Sequence, residues 1–235
     1  MFELPDLSKP FLYENNFNLS SDINRLAKII AHYELFKLTI DIPGAIVECG
    51  VFKGSSLIRF TTLRQLLCNP LSKKVIGFDS FGKFPETDYN DDKKAREKFI
   101  TDSGEEGISE EQLMKVLRHK GIEKNVELIK GDIKVTVPAY IKEHPYLRIS
   151  LLNIDVDVYE PTKTALEFLY PHVVKGGIIV LDDYCSIFPG ANKAVEEYFK
   201  GKMYEIRRLP FSVTPCTRCW GWRTRSSAMT KLGLK

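Results

Sequence analysis

Four aspartates in two short motifs are the residues of this sequence with the clearest potential for chemistry. Asp155 and Asp157 stand one residue apart in IDVDVYEPT, and the pair Asp182-Asp183 follows an apolar run in GGIIVLDDY. If each apolar run is a strand, the alternation of side chains places Asp155 and Asp157 on the same side of theirs. Carboxylates this close repel one another, so a cation, a proton or a role as a base is needed to relieve the repulsion.

The two motifs are separated along the chain by about one βαβ unit, so their strands are expected to be neighbours in a parallel sheet. Asp155, Asp182 and Asp183 then lie together at one edge of that sheet. Three carboxylates suit a hard divalent cation, above all Mg²⁺, which keeps open positions for water or substrate. The alternative is that Asp182 or Asp183 only caps the following loop. We predict a metal site formed by the three aspartates.

A turn containing two glycines, ECGVFKGSS (48–56), follows the first apolar run. It matches neither the P-loop pattern nor the dinucleotide fingerprint G-x-G-x-x-G, but Gly50 and Gly54 allow a ligand to approach the backbone closely. Asp79 ends the next apolar run, where an acidic side chain can hold a ribose diol. This pattern favours a nucleoside without a pyrophosphate, with S-adenosylmethionine as the candidate ligand. The alternative is a tight strand-to-helix turn with a helix cap.

The elements that must position these residues alternate between strand and helix patterns, which is typical of a doubly wound, mostly parallel sheet. Residues 1–20 read as irregular and 22–40 as an amphipathic helix. We therefore predict an N-terminal helical extension (1–40) and one α/β domain (41–235). The predicted strands are 45–50, 74–80, 125–132, 150–157 and 176–184, with helices at 55–67, 109–118, 162–173 and about 191–199 and a closing strand pair in YEIRRLP and WGWRT.

Composition limits the classes of function. The chain has 235 residues, 43% hydrophobic and 28% charged, with a formal charge of +3 and no run of basic residues interleaved with aromatics, so we expect no nucleic-acid partner. The start lacks a signal-peptide pattern and no segment is apolar enough to span a bilayer, which predicts a cytoplasmic protein without a membrane partner. Five cysteines at irregular spacing do not indicate a disulfide framework, and Cys216 and Cys219 are given no role.

Four segments taken together resemble, in order and spacing, the macrocin-type O-methyltransferases, a family that depends on Mg²⁺ and S-adenosylmethionine and includes sugar methyltransferases of mycinamicin and novobiocin biosynthesis. The resemblance covers about residues 40–200. It implies a class I methyltransferase fold, which is Rossmann-like with seven strands. The four segments are GAIVECGVFKGSS, VIGFDSFGKFPE, LLNIDVDVYEPT and GGIIVLDDY followed by PGANKAVEEYF.

The resemblance also implies roles for individual residues. Asp155, Asp182 and Asp183 match the metal ligands, and Asp157 matches the position of the general base, so that Asp155 and Asp157 form the catalytic pair. Val156 stands where the family has glycine, a difference that bears on the substrate side of the site. The residues that match the cofactor site are Glu48, Gly50, Lys53, Gly54 and Ser55 for the methionine end, Asp79 and Ser80 for the ribose and Asp132 for the adenine edge, with Asp155 beside them.

Several alternatives stay open. The acceptor hydroxyl belongs to a small molecule or a saccharide, such as an antibiotic sugar, a capsular or lipopolysaccharide sugar or a nucleotide sugar. A catechol-type methyltransferase acting on a phenolic diol is the nearest rival, and a non-catalytic nucleoside-binding module is the rival of another class. Residues 81–108 are either a lid over the acceptor or a solvated loop. The resemblance further implies a homo-oligomer.

Overall fold

The computed structural model describes residues 2–202, 205–213 and 215–218. Within them, helices cover both faces of one sheet. The helices are α1 (Pro10–Ser20), α2 (Ile23–Lys37), α3 (Ser55–Leu67), α4 (Asn90–Ser103), α5 (Glu110–His119), α6 (Ile133–Glu143), α7 (Tyr159–Leu169) and α8 (Pro189–Phe199). The strands are β1 (Ala45–Cys49), β2 (Val75–Asp79), β3 (Val126–Lys130), β4 (Ile149–Ile154), β5 (Val173–Leu181), β6 (Ile206–Arg208) and β7 (Pro215–Arg218).

The strands are ordered β3-β2-β1-β4-β5-β7-β6. The five from β3 to β5 are parallel, while β7 pairs antiparallel with both β5 and β6. In the central ladder Cys49 pairs with Ile154, and Ile154 pairs with Leu181. The ends of β1, β4 and β5 are therefore level, and whatever follows them projects from the same edge of the sheet. The crossover of the strand order between β1 and β4 lies at this edge, where open α/β sheets bind ligands.

Two apolar cores explain why the parallel strands read as continuous apolar runs. Val47, Ile76 and Leu152 face one core, to which α6, α7 and α8 contribute Val137, Leu166, Val195 and other buried side chains. Ile46, Val75 and Leu151 face the opposite core, formed with Phe60 of α3 and Leu113 of α5. Strands covered on both faces bury every position, so alternation disappears from the sequence.

The predicted fold class, a doubly wound and mostly parallel sheet, is confirmed. Two predictions along the chain are wrong. Residues 10–20 form helix α1 instead of irregular structure, although none of its residues is buried. A further helix, α6, lies between β3 and β4, where no helix was predicted; Pro138 lies inside it, and Asp132 caps its first turn by accepting a hydrogen bond from Lys134 N–H.

The predicted N-terminal helix is present, whereas the predicted closing strand pair is only partly confirmed. α2 begins after the cap Asp22 and buries His32, Leu35 and Phe36, so the predicted amphipathic helix is present. The boundary at residues 40 and 41 stays a prediction. YEIRRLP contains β6, but WGWRT lies outside the described residues, and the partner of β6 is β7 instead. Among the described helices, none is long and apolar enough to cross a bilayer.

Candidate active site

Two adjoining cavities open at the carboxyl edge of the sheet. The first, of about 310 Å³, has Asp79, Ser80 and Asp132 in its wall, and the second, of about 710 Å³, is lined by the turn before α3 and by α2. The cavities share four lining residues, Gly50, Phe52, Asp155 and Asp157. A ligand in one cavity therefore reaches a ligand in the other beside Asp155 and Asp157.

The predicted carboxylate trio is assembled at this junction. Asp155 follows β4, and Asp182 and Asp183 follow β5; one oxygen from each lies within 4.8 Å of the others. The ladder holds them there, since Asp155 N–H donates to Cys49 O at 2.9 Å and Asp182 N–H donates to Ile154 O at 3.0 Å. Three carboxylates, of which Asp183 is buried, form a donor set that fits a hard divalent ion.

An ammonium group that sequence reasoning missed lies against this trio. Lys28 Nζ, on α2, is 2.6 Å from Asp182 Oδ2 and 3.4 Å from Asp155 Oδ2. The three side chains are only partly exposed, at 24% for Lys28, 22% for Asp155 and 13% for Asp182. Burial alone would lower the pKa of Lys28, but the charges of Asp155 and Asp182 outweigh it and raise that pKa. Lys28 is therefore a fully charged counter-ion of the trio.

The carboxylates respond differently to this environment. Burial and the charge of Asp182 raise the pKa of Asp155 well above its usual range, and burial together with Asp157 does the same for the pKa of Asp183. Burial would also raise the pKa of Asp182, but Lys28 outweighs it, and the pKa of Asp182 is lowered. Asp182 is therefore the member of the trio that stays ionised beside the Lys28 ammonium group, whereas Asp155 and Asp183 hold their protons more readily.

Asp157 is placed by a turn, and the predicted reason for its position is wrong. β4 ends at Ile154, so Asp155 and Asp157 lie beyond the strand, and Asp157 adopts a left-handed conformation with φ of 63°. Its main-chain N–H donates to Asp183 Oδ2 at 2.7 Å, its carboxyl group also hydrogen-bonds the Asp183 side chain, and the residue lines both cavities. Burial and the nearby charge of Asp155 raise the pKa of Asp157 to about 7. A carboxyl group with this pKa can accept a proton near neutral pH.

The turn between β1 and α3 brings the backbone close to the carboxylates. Gly50 has φ of 87°, and a Cβ at this position would overlap the carbonyl oxygen of Asp155. Glu48 is buried, which raises its pKa; one oxygen accepts a hydrogen bond from the Ser56 hydroxyl, and Oε2 has no partner among the described residues. An unpartnered buried acceptor fits an ammonium group such as the amino group of a methionine moiety.

Three other predicted cofactor residues, Asp79, Lys53 and Ser55, line the cavities, and the side chains of Asp79 and Lys53 have hydrogen-bond partners within the protein. Asp79 accepts hydrogen bonds from the N–H groups of Val51, Phe52 and Phe81 at 2.7–3.0 Å. These bonds hold the turn after β1 and the turn after β2 in place beside the first cavity. Lys53 and Ser55 line the second cavity, where Lys53 Nζ donates to Ser103 O at 2.6 Å. Gly54 precedes α3 with φ of 83°. The roles of these residues in holding a cofactor stay predictions.

The segment 81–108 contains α4 and is fastened to the fold by two carboxylates. Asp92 is buried and accepts from Gly190 N–H at 2.7 Å and from Tyr159 N–H at 2.9 Å, at the starts of α8 and α7. Glu160 accepts from Tyr89 N–H at 2.9 Å. These contacts explain the glutamate of the YEPT motif and the glycine of PGANKAV as structural residues. Whether the segment acts as a lid stays a prediction.

Three further side chains belong to the second cavity or its wall and were not predicted. Arg25 on α2 and Arg59 on α3 line the cavity. Arg59 Nη1 is 2.9 Å from Nδ1 of His32, which is buried and stacked on Phe60. Their sequence context offers no motif, because on a helix each is one polar residue among others; only their proximity across α2 and α3 identifies them.

Comparison with known proteins adds three findings. Residues 23–207 match the family model of the macrocin O-methyltransferases (TylF). The chain is 29% identical over 159 residues to a Streptomyces olivaceus 4'-O-methyltransferase of a dimethoxy-rhamnosyl tetracenomycin, and 30% identical over 166 residues to demethyldecarbamoylnovobiocin O-methyltransferase of Streptomyces niveus. The crystal structure of the calicheamicin methyltransferase CalS11 superposes with a TM-score of 0.74 at 29% identity, covering 92% of this chain and 88% of that one.

The extent of the match differs between these relatives. Each of the two Streptomyces matches covers 67% of this chain, which spans 58% of the first relative and 59% of the second. The chain is thus aligned with about three fifths of the length of the curated relatives it matches.

Proposed function

The chain belongs to the macrocin O-methyltransferase family, and on that premise we propose that it transfers a methyl group from S-adenosylmethionine to a sugar hydroxyl with the help of Mg²⁺. The observation that carries the proposal is the junction of two cavities at Asp155 and Asp157. A donor that extends from the first cavity into the second would meet a hydroxyl in the second cavity at these carboxylates. The sugar is inferred from the Streptomyces olivaceus relative, whose name describes 4'-O-methylation of a rhamnosyl tetracenomycin.

The cofactor would extend across both cavities. Its nucleoside would lie in the first cavity beside Ser80 and Asp132, and its methionine end would reach the turn 48–56. The amino group of the cofactor would supply the missing partner of Glu48 Oε2 and keep that buried carboxylate ionised. Gly50 allows the chain to pass closely at the point where the sulfonium must reach the second cavity.

Asp155, Asp182 and Asp183 would hold the Mg²⁺ ion. When bound, Mg²⁺ would lower the pKa of a hydroxyl group beside it. Asp157 is placed to accept the proton released by that hydroxyl, because its carboxyl group lines the same cavity and its pKa is raised to about 7. As the O–C bond forms, the C–S bond breaks, the charge on sulfur disappears and S-adenosylhomocysteine leaves. Little charge then needs stabilising at the donor, so the barrier would fall mainly because the site holds the hydroxyl oxygen about 3–3.5 Å from the methyl carbon and in line with the C–S bond.

The test is methyl transfer measured by mass spectrometry from S-adenosylmethionine to a panel of deoxysugar glycosides, with catechol as the comparison acceptor. We expect a sugar product that gains one methyl group, disappears with EDTA and returns with Mg²⁺. Asp182→Ala should abolish transfer and change cofactor affinity by no more than about threefold, since Asp182 contacts the ion and not the cofactor. Transfer that is unaffected by EDTA, or that occurs only to catechol, would contradict the proposal.

A further inference from the structure

Lys28 and the carboxylate trio come from different parts of the chain, and their contact is not explained by the methyl-transfer chemistry. Lys28 lies on α2, ahead of β1, whereas Asp155 and Asp182 lie beyond β4 and β5. Two salt bridges join Lys28 to these aspartates, one to Asp155 Oδ2 and one to Asp182 Oδ2. The ammonium group therefore lies against two of the three carboxylates that would hold a divalent ion.

An ammonium group and a divalent ion that share these oxygens repel each other. Mg²⁺ requires its oxygen ligands at about 2.0–2.1 Å in octahedral geometry. Lys28 Nζ is already 2.6 Å from Asp182 Oδ2, so an ion coordinated by that oxygen would lie in direct repulsive contact with the ammonium group. At such separations the repulsion between two cations amounts to several kcal/mol at the effective dielectric constant of a partly buried site, about 20.

We propose that Lys28 is the resident counter-ion of the trio in the metal-free protein and that a divalent ion must displace its ammonium group in order to bind. This inference rests on the metal site proposed above. Lys28 stabilises the trio when no ion is bound, which explains how three carboxylates stay close together. Lys28 also lowers the affinity for the ion, because displacing its ammonium group from the trio costs free energy that offsets part of the attraction between the ion and the carboxylates.

Displacement is sterically feasible because Lys28 itself lines the second cavity. The side chain is flexible and 24% exposed, and the cavity of about 710 Å³ adjoins its ammonium group. Arg25 and Ile29 of the same helix line this cavity as well. Loading of the ion thus moves a positive charge from the trio into the space assigned to the acceptor, so that α2 couples metal binding to the acceptor cavity.

The test is the affinity of the metal-free full-length chain for Mn²⁺, measured by titration calorimetry. Lys28→Met keeps the length of the side chain and removes its charge, and we expect Mn²⁺ to bind about tenfold more tightly or better. Arg25→Met is the matched control: it removes one charge from the same helix and cavity without touching the trio, and its affinity should stay within about twofold of the wild type.

Lys28→Gln provides a second neutral variant if Lys28→Met does not fold without a metal. The rise in Tm caused by a fixed Mn²⁺ concentration gives an independent readout, because a ligand that binds only the folded state stabilises it by RT ln(1 + [L]/Kd). The rise should be larger for both neutral variants than for the wild type. Affinities equal to or weaker than that of a metal-binding wild type would overturn the role of Lys28 alone. If neither the wild type nor the neutral variants bind Mn²⁺, the metal site itself is refuted together with this inference.

Discussion

The main-chain N–H of Asp157 donates a hydrogen bond to Asp183 Oδ2 at 2.7 Å. This bond links the turn after β4 to the turn after β5, so the residue assigned as base is held by a residue assigned as metal ligand. The carboxyl group of Asp157 also hydrogen-bonds the Asp183 side chain, and Asp157 lines both cavities. A substitution of the side chain changes the carboxyl group and leaves the main-chain bond in place.

Asp157→Asn is expected to lower turnover by about 100-fold or more, because the amide cannot accept the proton of the hydroxyl. Asparagine tolerates the left-handed conformation at this position, and the main-chain bond to Asp183 is retained. The KM for the acceptor and the affinity for the cofactor should change by only about threefold. Asp102→Asn, which changes another aspartate of the second cavity, is the control. Unchanged turnover in Asp157→Asn would remove this residue as the base.

Gly50→Ala should destabilise the protein by more than the cost of its backbone conformation. A positive φ costs a residue other than glycine about 1–3 kcal/mol, and at Gly50 the added Cβ would also overlap the carbonyl oxygen of Asp155. Gly104→Ala is matched, since Gly104 has φ of 79° and no heavy atom within 4 Å of its added Cβ. Chemical denaturation should show a larger loss of unfolding free energy for Gly50→Ala than for Gly104→Ala. Equal losses would mean that the close approach of residue 50 to Asp155 does not contribute to stability.

Asp92→Ala should loosen the segment 81–108. The substitution leaves the N–H groups of Tyr159 and Gly190 without their carboxylate acceptor, and each unpaired buried donor costs about 1–3 kcal/mol. We expect a clear drop in Tm and faster hydrogen exchange in α4. Asp91→Ala, at the exposed neighbouring position, should have little effect. A variant at Asp92 as stable as the one at Asp91 would show that the two hydrogen bonds do not hold the segment.

His32 makes a specific contribution to the pH dependence of stability. Burial, with smaller effects of Arg59 and Lys28, lowers the pKa of His32 to about 3, against the opposing charge of Asp182. The folded-state pKa is thus below the unfolded value of about 6.5, so the stability that His32 contributes is present above pH 6.5 and is lost as the pH falls towards 3. In this range the unfolded chain binds the additional proton.

His32→Asn keeps an acceptor for Arg59 and removes the titration. Between pH 6 and 4.5 the free energy of unfolding of the wild type should fall more steeply than that of the variant, with the difference approaching about 1.4 kcal/mol per pH unit. Denaturant titrations at several pH values measure both slopes. Parallel slopes would mean that His32 is protonated in the folded protein.

The trio of aspartates could be predicted because the sequence pattern indicates where the strands end and which strands are neighbours. Apolar runs that end in carboxylates, one βαβ unit apart, place Asp155 beside Asp182 and Asp183 whenever the strands are parallel neighbours, as β4 and β5 are. The turn 48–56 was predicted for a similar reason. Its glycines stand directly after a strand, and Gly50 does have the positive φ that glycine permits.

The features that were missed depend on contacts that leave no local pattern. Lys28 is 127 residues from Asp155, and a lysine on an amphipathic helix resembles any solvated lysine until the helix is packed. Helix α6 was missed because Pro138 and several β-branched residues oppose helix formation locally, whereas Val137 and Tyr140 are buried in the core. Asp157 was placed correctly at the site but for the wrong reason, since its backbone turns left-handed after the strand has ended.

The central claim is that Asp155, Asp182 and Asp183 hold one divalent ion beside the methyl donor. The most direct measurement is an anomalous difference map at the manganese edge from crystals grown with S-adenosylhomocysteine and Mn²⁺. We expect a single peak coordinated by the three carboxylates, with Lys28 Nζ withdrawn from Asp182 and the cofactor sulfur at the junction of the two cavities. A map without a peak at the trio, with Lys28 still bound to Asp182 at saturating Mn²⁺, would contradict this claim.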